Sequence, residues 1–183
     1  MDGTRSLAGL NIGSGQRRFE SGPAMKWVNV DCVSRPPDQV PDLICDVGKE
    51  PLPYPDNAVD YVVLHQVYEH FGLGEGHALI REAYRVLRSG GSLIITVPYA
   101  RMLAKRRELG QIDDYIYGVS MMGAYQGLEG DRHKWCFWDL HALGADITKA
   151  GPQWTWLKSF NHRVIPGADI AHDWWILELE CVK

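Results

Sequence analysis

The chain has little of what an exported, membrane-bound or nucleic-acid-coating protein needs. Its 183 residues hold four cysteines, Cys32, Cys45, Cys136 and Cys181, scattered without a C-x-x-C pair. That spacing argues against a zinc ribbon or a disulfide framework and makes a reducing cytoplasm the expected setting. Apolar runs are short, Tyr61-Val62-Val63-Leu64 being representative, far below the roughly 18 residues that cross a bilayer. Residues 1–15 contain no apolar core of export-signal length. Positive charge is not in excess: 19 basic residues face 23 acidic ones, a net −4, which argues against a general nucleic-acid binder. Repeats, linkers and low-complexity stretches are missing as well. What remains, at 45% hydrophobic and 23% charged, has the composition and length of a single folded domain.

Strand-like and helical patterns then alternate. Leu7–Ile12 is a short apolar strand broken by Gly13-Ser14-Gly15. Trp27–Val30 is a second, ending at Asp31, and Asp42–Cys45 a third, ending at Asp46. After a loop with Pro51, Pro53 and Pro55, Ala58–Leu64 reads as a fourth strand. Residues 77–88 have helical spacing, with Leu79, Ile80, Ala83 and Leu87 on one face, and Ser89-Gly90-Gly91 is expected to end that helix. Ser92–Val97 is a fifth, β-branched strand. Nearly continuous apolar strands imply a parallel sheet covered on both faces. Asp139–Ala150 is a further helix with Asp139 as N-cap. The runs 154–160 and 174–182 follow with no crossover helix between them, so they must pair antiparallel if they pair at all. The expected fold is therefore α/β, a Rossmann-like three-layer sandwich whose mostly parallel sheet closes with an antiparallel C-terminal edge hairpin.

In open α/β sheets, ligands bind beyond the carboxyl ends of the strands, near the switch point of the strand order. Three such ends carry suggestive residues here. Gly13-Ser14-Gly15 permits a tight turn and close approach of a ligand to main-chain N–H groups. Asp31, 18 residues after Gly13, can accept from both hydroxyls of a ribose. Asp46 can accept from an adenine amino group while the N–H of Val47 donates to the ring. A nicotinamide site would want G-x-G-x-x-G, but Arg18 occupies the third glycine position, and residues 16–22 are too short and polar for a good first helix.

The ordered set resembles the class I S-adenosylmethionine-dependent methyltransferases, within them a small type-11-like subgroup. The matching stretches are Leu10–Gly15, Asn29-Val30-Asp31, Cys45-Asp46-Val47, residues 52–60, Val67-Tyr68-Glu69-His70-Phe71 and residues 82–91. The resemblance implies S-adenosyl-L-methionine as cofactor. Gly13, Ser14 and Gly15 would hold its methionine part, Asp31 its ribose, Asp46 and Val47 its adenine, and His65 would line the methyl-donor site. At that strand end the sequence reads His65-Gln66-Val67-Tyr68. It lacks the Asn/Asp-Pro-Pro-Tyr-like tetrapeptide of amide- and DNA-methylating relatives, which points away from those acceptors.

Residues 1–183 are then one methyltransferase domain, with 99–135 as a lid or acceptor-binding insert. Arg101, Lys105, Arg106 and Arg107 with Glu108 give that insert a local charge of +3, either a solvated helix face or a cradle for an anionic acceptor. Tyr115, Tyr117, Tyr125, Gly118, Gly123, Gly127 and Gly130 suit a mobile, ring-stacking lid. Within Asp131-Arg132-His133-Lys134-Trp135, His133 is the expected catalytic residue, as a general base or acceptor ligand. No metal is expected: His65 and His70 are five apart, which does not align them on a helix, and no carboxylate completes a familiar set. Six of the seven tryptophans lie between Trp135 and Trp175, in core packing or in a self-association surface such as a homodimer's. The expected function is methyl transfer to a small-molecule or saccharide-like acceptor, at oxygen. The alternatives are a non-catalytic cofactor-binding partner subunit and an RNA methyltransferase using the Arg101–Arg107 patch.

Overall fold

The computed structural model describes residues 6–33, 40–123, 132–159, 164–170 and 176–183. Seven strands, β1 (Leu7–Ile12), β2 (Met25–Asp31), β3 (Leu43–Ile44), β4 (Val59–His65), β5 (Leu87–Pro98), β6 (Trp156–Ser159) and β7 (Ile176–Val182), form one sheet in the order β3-β2-β1-β4-β5-β7-β6. β1 to β5 run parallel, and β7 lies antiparallel to both β5 and β6. The order reverses between β1 and β4, so the loops leaving those two strands flank the switch point.

Alternation along the strands sends Leu10, Ile12, Val30, Val62, Leu64, Leu93 and Ile95 to one face. There they meet α1 (Leu73–Val86) and α4 (Leu140–Lys149) through Leu79, Ile80, Ala83, Leu143 and Ile147. The other face carries Phe19, Met25, Trp27, Val63 and Ile94, and the apolar cluster they form includes no helical residue among those described. Ile165 and Ile170, from the connection between β6 and β7, complete its apolar cluster instead. This strap is tied down by main-chain groups: Trp27 Nε1 donates to the Pro166 carbonyl at 2.7 Å, and Glu20 N donates to the Gly167 carbonyl at 2.9 Å.

The expected strand–helix alternation is thus absent from the first half: the described connections among β1, β2, β3 and β4 contain no helix. β3 is two residues long because the Asp42 side chain accepts from Asn29 N at 2.8 Å, taking a donor that a longer strand would have paired. The helix expected at 77–88 occupies Leu73–Val86. Gly72 starts it, its N–H donating to Glu75 Oε2 at 2.9 Å. Leu87 already has extended geometry and pairs with Val59. Gly90 is left-handed (φ +77°), yet it sits inside β5 near a register shift and not at a helix end. Asp139 caps α4 as expected, accepting from Ala142 N at 3.0 Å. The insert contains two helices, α2 (Ala100–Glu108) and α3 (Asp114–Met122). Tyr125, Gly127, Gly130 and Asp131 lie outside the described residues, as do Phe160, Trp174, Trp175 and the Trp156 side chain. Trp154 packs edge-on against Tyr84 at 5.0 Å, whereas Trp135 and Trp138 are exposed. Among the described residues no helix is long and apolar enough to cross a membrane.

Candidate cofactor and acceptor site

The turn after β1 is built by backbone geometry that glycine tolerates: Gly13 has φ +67° and Gly15 φ +47°. Ser14 N donates to the Val30 carbonyl at 3.0 Å, which pins the turn to the end of β2. Gly15 N donates to Asp31 Oδ2 at 2.8 Å, and Val33 N donates to Asp31 Oδ1 at 3.1 Å. Each carboxylate oxygen of this buried Asp31 therefore holds one main-chain N–H and keeps a lone pair for another donor. The Ser14 hydroxyl is buried without a hydrogen-bond partner among the described residues, a state that a polar ligand in the turn would relieve.

At the end of β3, Asp46 forms a turn. Its Oδ1 accepts from Gly48 N at 3.2 Å and its Oδ2 from Lys49 Nζ at 2.7 Å. The Lys49 ammonium bonded to Asp46 holds that carboxyl below the usual carboxylate range. Val47 N has no partner among the described residues. Burial, and after it the negative charges of Asp31 and Asp46, push the Cys32 thiol up, so the ends of β2 and β3 share one electrostatic corner.

The end of β4 closes the site from below. His65 is buried, with Nδ1 2.7 Å from Thr96 Oγ1 across the β4–β5 ladder. Gln66 takes φ +55°, a conformation that costs a non-glycine residue on the order of 1 kcal/mol or more. Its N–H is held by the Thr96 carbonyl at 2.9 Å. The kink throws the next segment over the turn after β1 and the loop after β3. A Cβ on Gly13 would lie 2.2 Å from Val67 Cγ2, and one on Gly48 would lie 3.0 Å from Phe71 Cε1. Between these two contacts runs a 3₁₀ turn, Tyr68–His70. Tyr68 anchors it from behind, its hydroxyl donating to Asp146 Oδ2 at 2.7 Å while His77 Nε2 lies 3.0 Å from Asp146 Oδ1. Burial and the Asp146 carboxylate push the Tyr68 hydroxyl up, so it stays a donor.

His133 reaches this turn from the insert. The Glu69 carbonyl accepts from Lys134 N at 2.8 Å and from Trp135 N at 3.2 Å, stapling the segment around His133 against the 3₁₀ turn. The rings of His70 and His133 meet edge-on with centroids 5.0 Å apart, and the carboxylate of Glu69 is wholly buried beside them. His65 and His70, the pair considered from spacing, are separated by the kink, and His70 faces His133 instead. Of the basic residues in the insert, Arg107 is spoken for, its Nε donating to Asp114 Oδ1 at 2.6 Å with Tyr117 beneath its guanidinium. Arg101 and Lys105 are exposed. Sequence reading missed Glu69 and Gln66. The Glu69-His70 dipeptide was visible, but its partner arrives through main-chain bonds that leave no side-chain signature. A left-handed glutamine has no signature at all.

A family model described as a methyltransferase domain matches residues 23–95. A glycine/sarcosine/dimethylglycine N-methyltransferase of Actinopolyspora halophila is 38% identical over 74 residues, a stretch covering 40% of this chain and only 13% of that protein. Among solved structures, an S-adenosylmethionine-dependent methyltransferase of Archaeoglobus fulgidus superposes with a TM-score of 0.59 at 13% identity, over 97% of this chain and 86% of the other. One of Thermotoga maritima, described as a possible histamine N-methyltransferase, gives a TM-score of 0.58 at 16% identity, over 98% and 83%.

Proposed function

We propose, for a chain whose domain match and fold are those of the class I S-adenosyl-L-methionine-dependent methyltransferases, that it methylates an oxygen of a small-molecule acceptor. S-adenosyl-L-methionine is the cofactor that this domain and fold imply. The observation that carries the reading is the turn–carboxylate unit. Gly13 and Gly15 hold a left-handed turn, the buried Asp31 fixes it through Gly15 N, and the Ser14 hydroxyl is buried beside them without a partner among the described residues. In this reading Gly13, Ser14 and Gly15 receive the methionine part, the spare lone pairs of Asp31 take the ribose hydroxyls, and Asp46 with Val47 N meets the adenine. His65, fixed by Thr96, lines the donor side. When bound, the cofactor supplies a methyl group already activated on a sulfonium. The chain's own task is then to align the acceptor, exclude water and, for a hydroxyl, remove a proton. His133 stands on the acceptor side in this reading, where it removes that proton or holds what does.

Calorimetry tests the cofactor half. S-adenosylhomocysteine should bind and NAD should not, and Asp31→Ala should weaken binding at least about tenfold, the worth of one lost hydrogen bond to a charged group. Unchanged affinity in Asp31→Ala would end this reading. A second reading, methylation at an amine nitrogen, is favoured by the N-methyltransferase relative matched over 74 residues. An amine that is already neutral needs no base. Turnover that survives His133→Ala within tenfold selects nitrogen, and loss of turnover with cofactor binding intact selects oxygen. The four cysteines are unpaired, which suits a reducing, cytoplasmic setting. The exposed Trp135 and Trp138 support self-association, which sedimentation at micromolar concentration tests.

A further inference from the structure

Glu69, His70 and His133 each offer one ligand atom, and these atoms all lie within 4.8 Å of one another. Three features make this more than a chance meeting of polar side chains. The first is the orientation of the rings. His133 Nδ1 lies 3.2 Å from the Met121 carbonyl and His70 Nδ1 lies 3.4 Å from the Arg132 carbonyl. A carbonyl can only accept, so each Nδ1 carries the proton and each Nε2 keeps its lone pair, the tautomer that metal-binding histidines adopt. The second is the chemistry of the set: two imidazoles and one carboxylate, with the carboxylate wholly buried and both rings partly exposed. That leaves a protein-held side and an open side. The third is rigidity. The two segments are stapled by the bonds from Lys134 N and Trp135 N to the Glu69 carbonyl, and the 3₁₀ turn is braced through Tyr68 and Asp146.

We infer that Glu69, His70 and His133 bind a divalent transition-metal ion of the zinc class, with at least one coordination position left for water or an acceptor atom. Nitrogen and oxygen ligands sit about 2.0–2.2 Å from such an ion, so ligands sharing a tetrahedral one lie roughly 3.3–3.6 Å apart. From separations of at most 4.8 Å, the three side chains need to close by no more than about 1.5 Å, within the reach of side-chain rotations. Two histidines with one carboxylate and an open position form a donor set suited to zinc or iron(II), whereas magnesium and calcium prefer oxygen ligands. The use of the ion at the acceptor rests on the function proposed above; its binding does not. A hydroxyl acceptor taking the open position is acidified by the ion, as bound water is, and its proton passes to solvent water. The oxygen keeps the electron pair that forms the new C–O bond, and the pair of the broken C–S bond stays on sulfur. With the ion in place His133 is a ligand; without it, His133 is the base.

The test uses the full chain, without an affinity tag and stripped with chelator, titrated with cobalt(II) alone. The expected result is one equivalent bound with visible d–d absorption, displaced by zinc. His70→Gln and His133→Gln change partly exposed rings and should leave the melting temperature within a few degrees of wild type, while each weakens cobalt binding at least about tenfold. No cobalt absorption from the wild-type chain at millimolar metal, or wild-type affinity in both histidine variants, overturns the site. S-adenosylhomocysteine affinity measured in excess chelator separates the two claims. Cofactor binding without cobalt binding removes the metal site alone, and cobalt binding without cofactor binding removes the methyltransferase reading alone.

Discussion

A methyl group added at Gly13 would sit on a backbone with φ +67° and 2.2 Å from Val67 Cγ2, so either the turn or the Val67 segment must move. Gly13→Ala is therefore expected to lower the melting temperature and to reduce S-adenosylhomocysteine affinity at least about tenfold. At Gly22 a Cβ would meet nothing within 4 Å, and Gly22→Ala should leave both measurements near wild type. A second residue-scale case is Glu82. Its carboxylate accepts from Leu52 N at 2.8 Å and from Arg85 Nε and Nη2 at 2.8 and 2.6 Å, tying the proline-rich loop to α1. The Arg85 hydrogen bond, above all, holds this carboxyl below its usual 4.5. A carboxyl lowered on folding stabilises the fold above its unfolded value, and the contribution fades as pH falls through the folded one. Glu82→Gln should cost about 1–3 kcal/mol at pH 7, and the gap to wild type should narrow as the pH is lowered below 4.5. Urea denaturation at several pH values reads this; a gap independent of pH would contradict it.

At the scale of elements, the second face of the sheet depends on a strap where helices were expected. Ile165 and Ile170 are buried in that cluster, and truncating either to alanine should destabilise by about 2–4 kcal/mol. Val164, beside them but 93% exposed, should tolerate alanine within about 0.5 kcal/mol. The strands were legible in the sequence because each is a short apolar run, the first three ended by Gly13, Asp31 and Asp46, and the antiparallel edge followed from the missing crossover. The loops proposed to hold the cofactor were legible as turns for the same reason, since they sit at strand ends. The bounds of the first helix were not: its start rests on a main-chain donor at Gly72 meeting Glu75, and its end on Leu87 pairing with a distant strand. The strap was equally invisible, because its attachments at Pro166 and Gly167 are carbonyl oxygens that every residue possesses.

At the scale of the whole molecule, the two halves of the chain carry different parts of the proposed site. The strand ends before residue 50 form the corner assigned to the cofactor, and the insert after β5 brings His133 to the 3₁₀ turn. Among the described residues, the segment that follows Gln66 touches both. Val67 touches the glycine turn, Phe71 touches the loop after Asp46, and Glu69 and His70 lie between them. A ligand that stiffens the glycine turn must also stiffen this segment, and the reverse holds with equal free energy, since coupling between two sites is reciprocal. The affinity of S-adenosylhomocysteine should therefore rise when the acceptor side is filled, and the acceptor side should fill more tightly when the cofactor is present, by the same factor. Val67→Ala, which removes the side-chain contact and leaves every proposed ligand in place, should bring that factor towards one. Such a chain would still bind both ligands, but each would have become indifferent to the other.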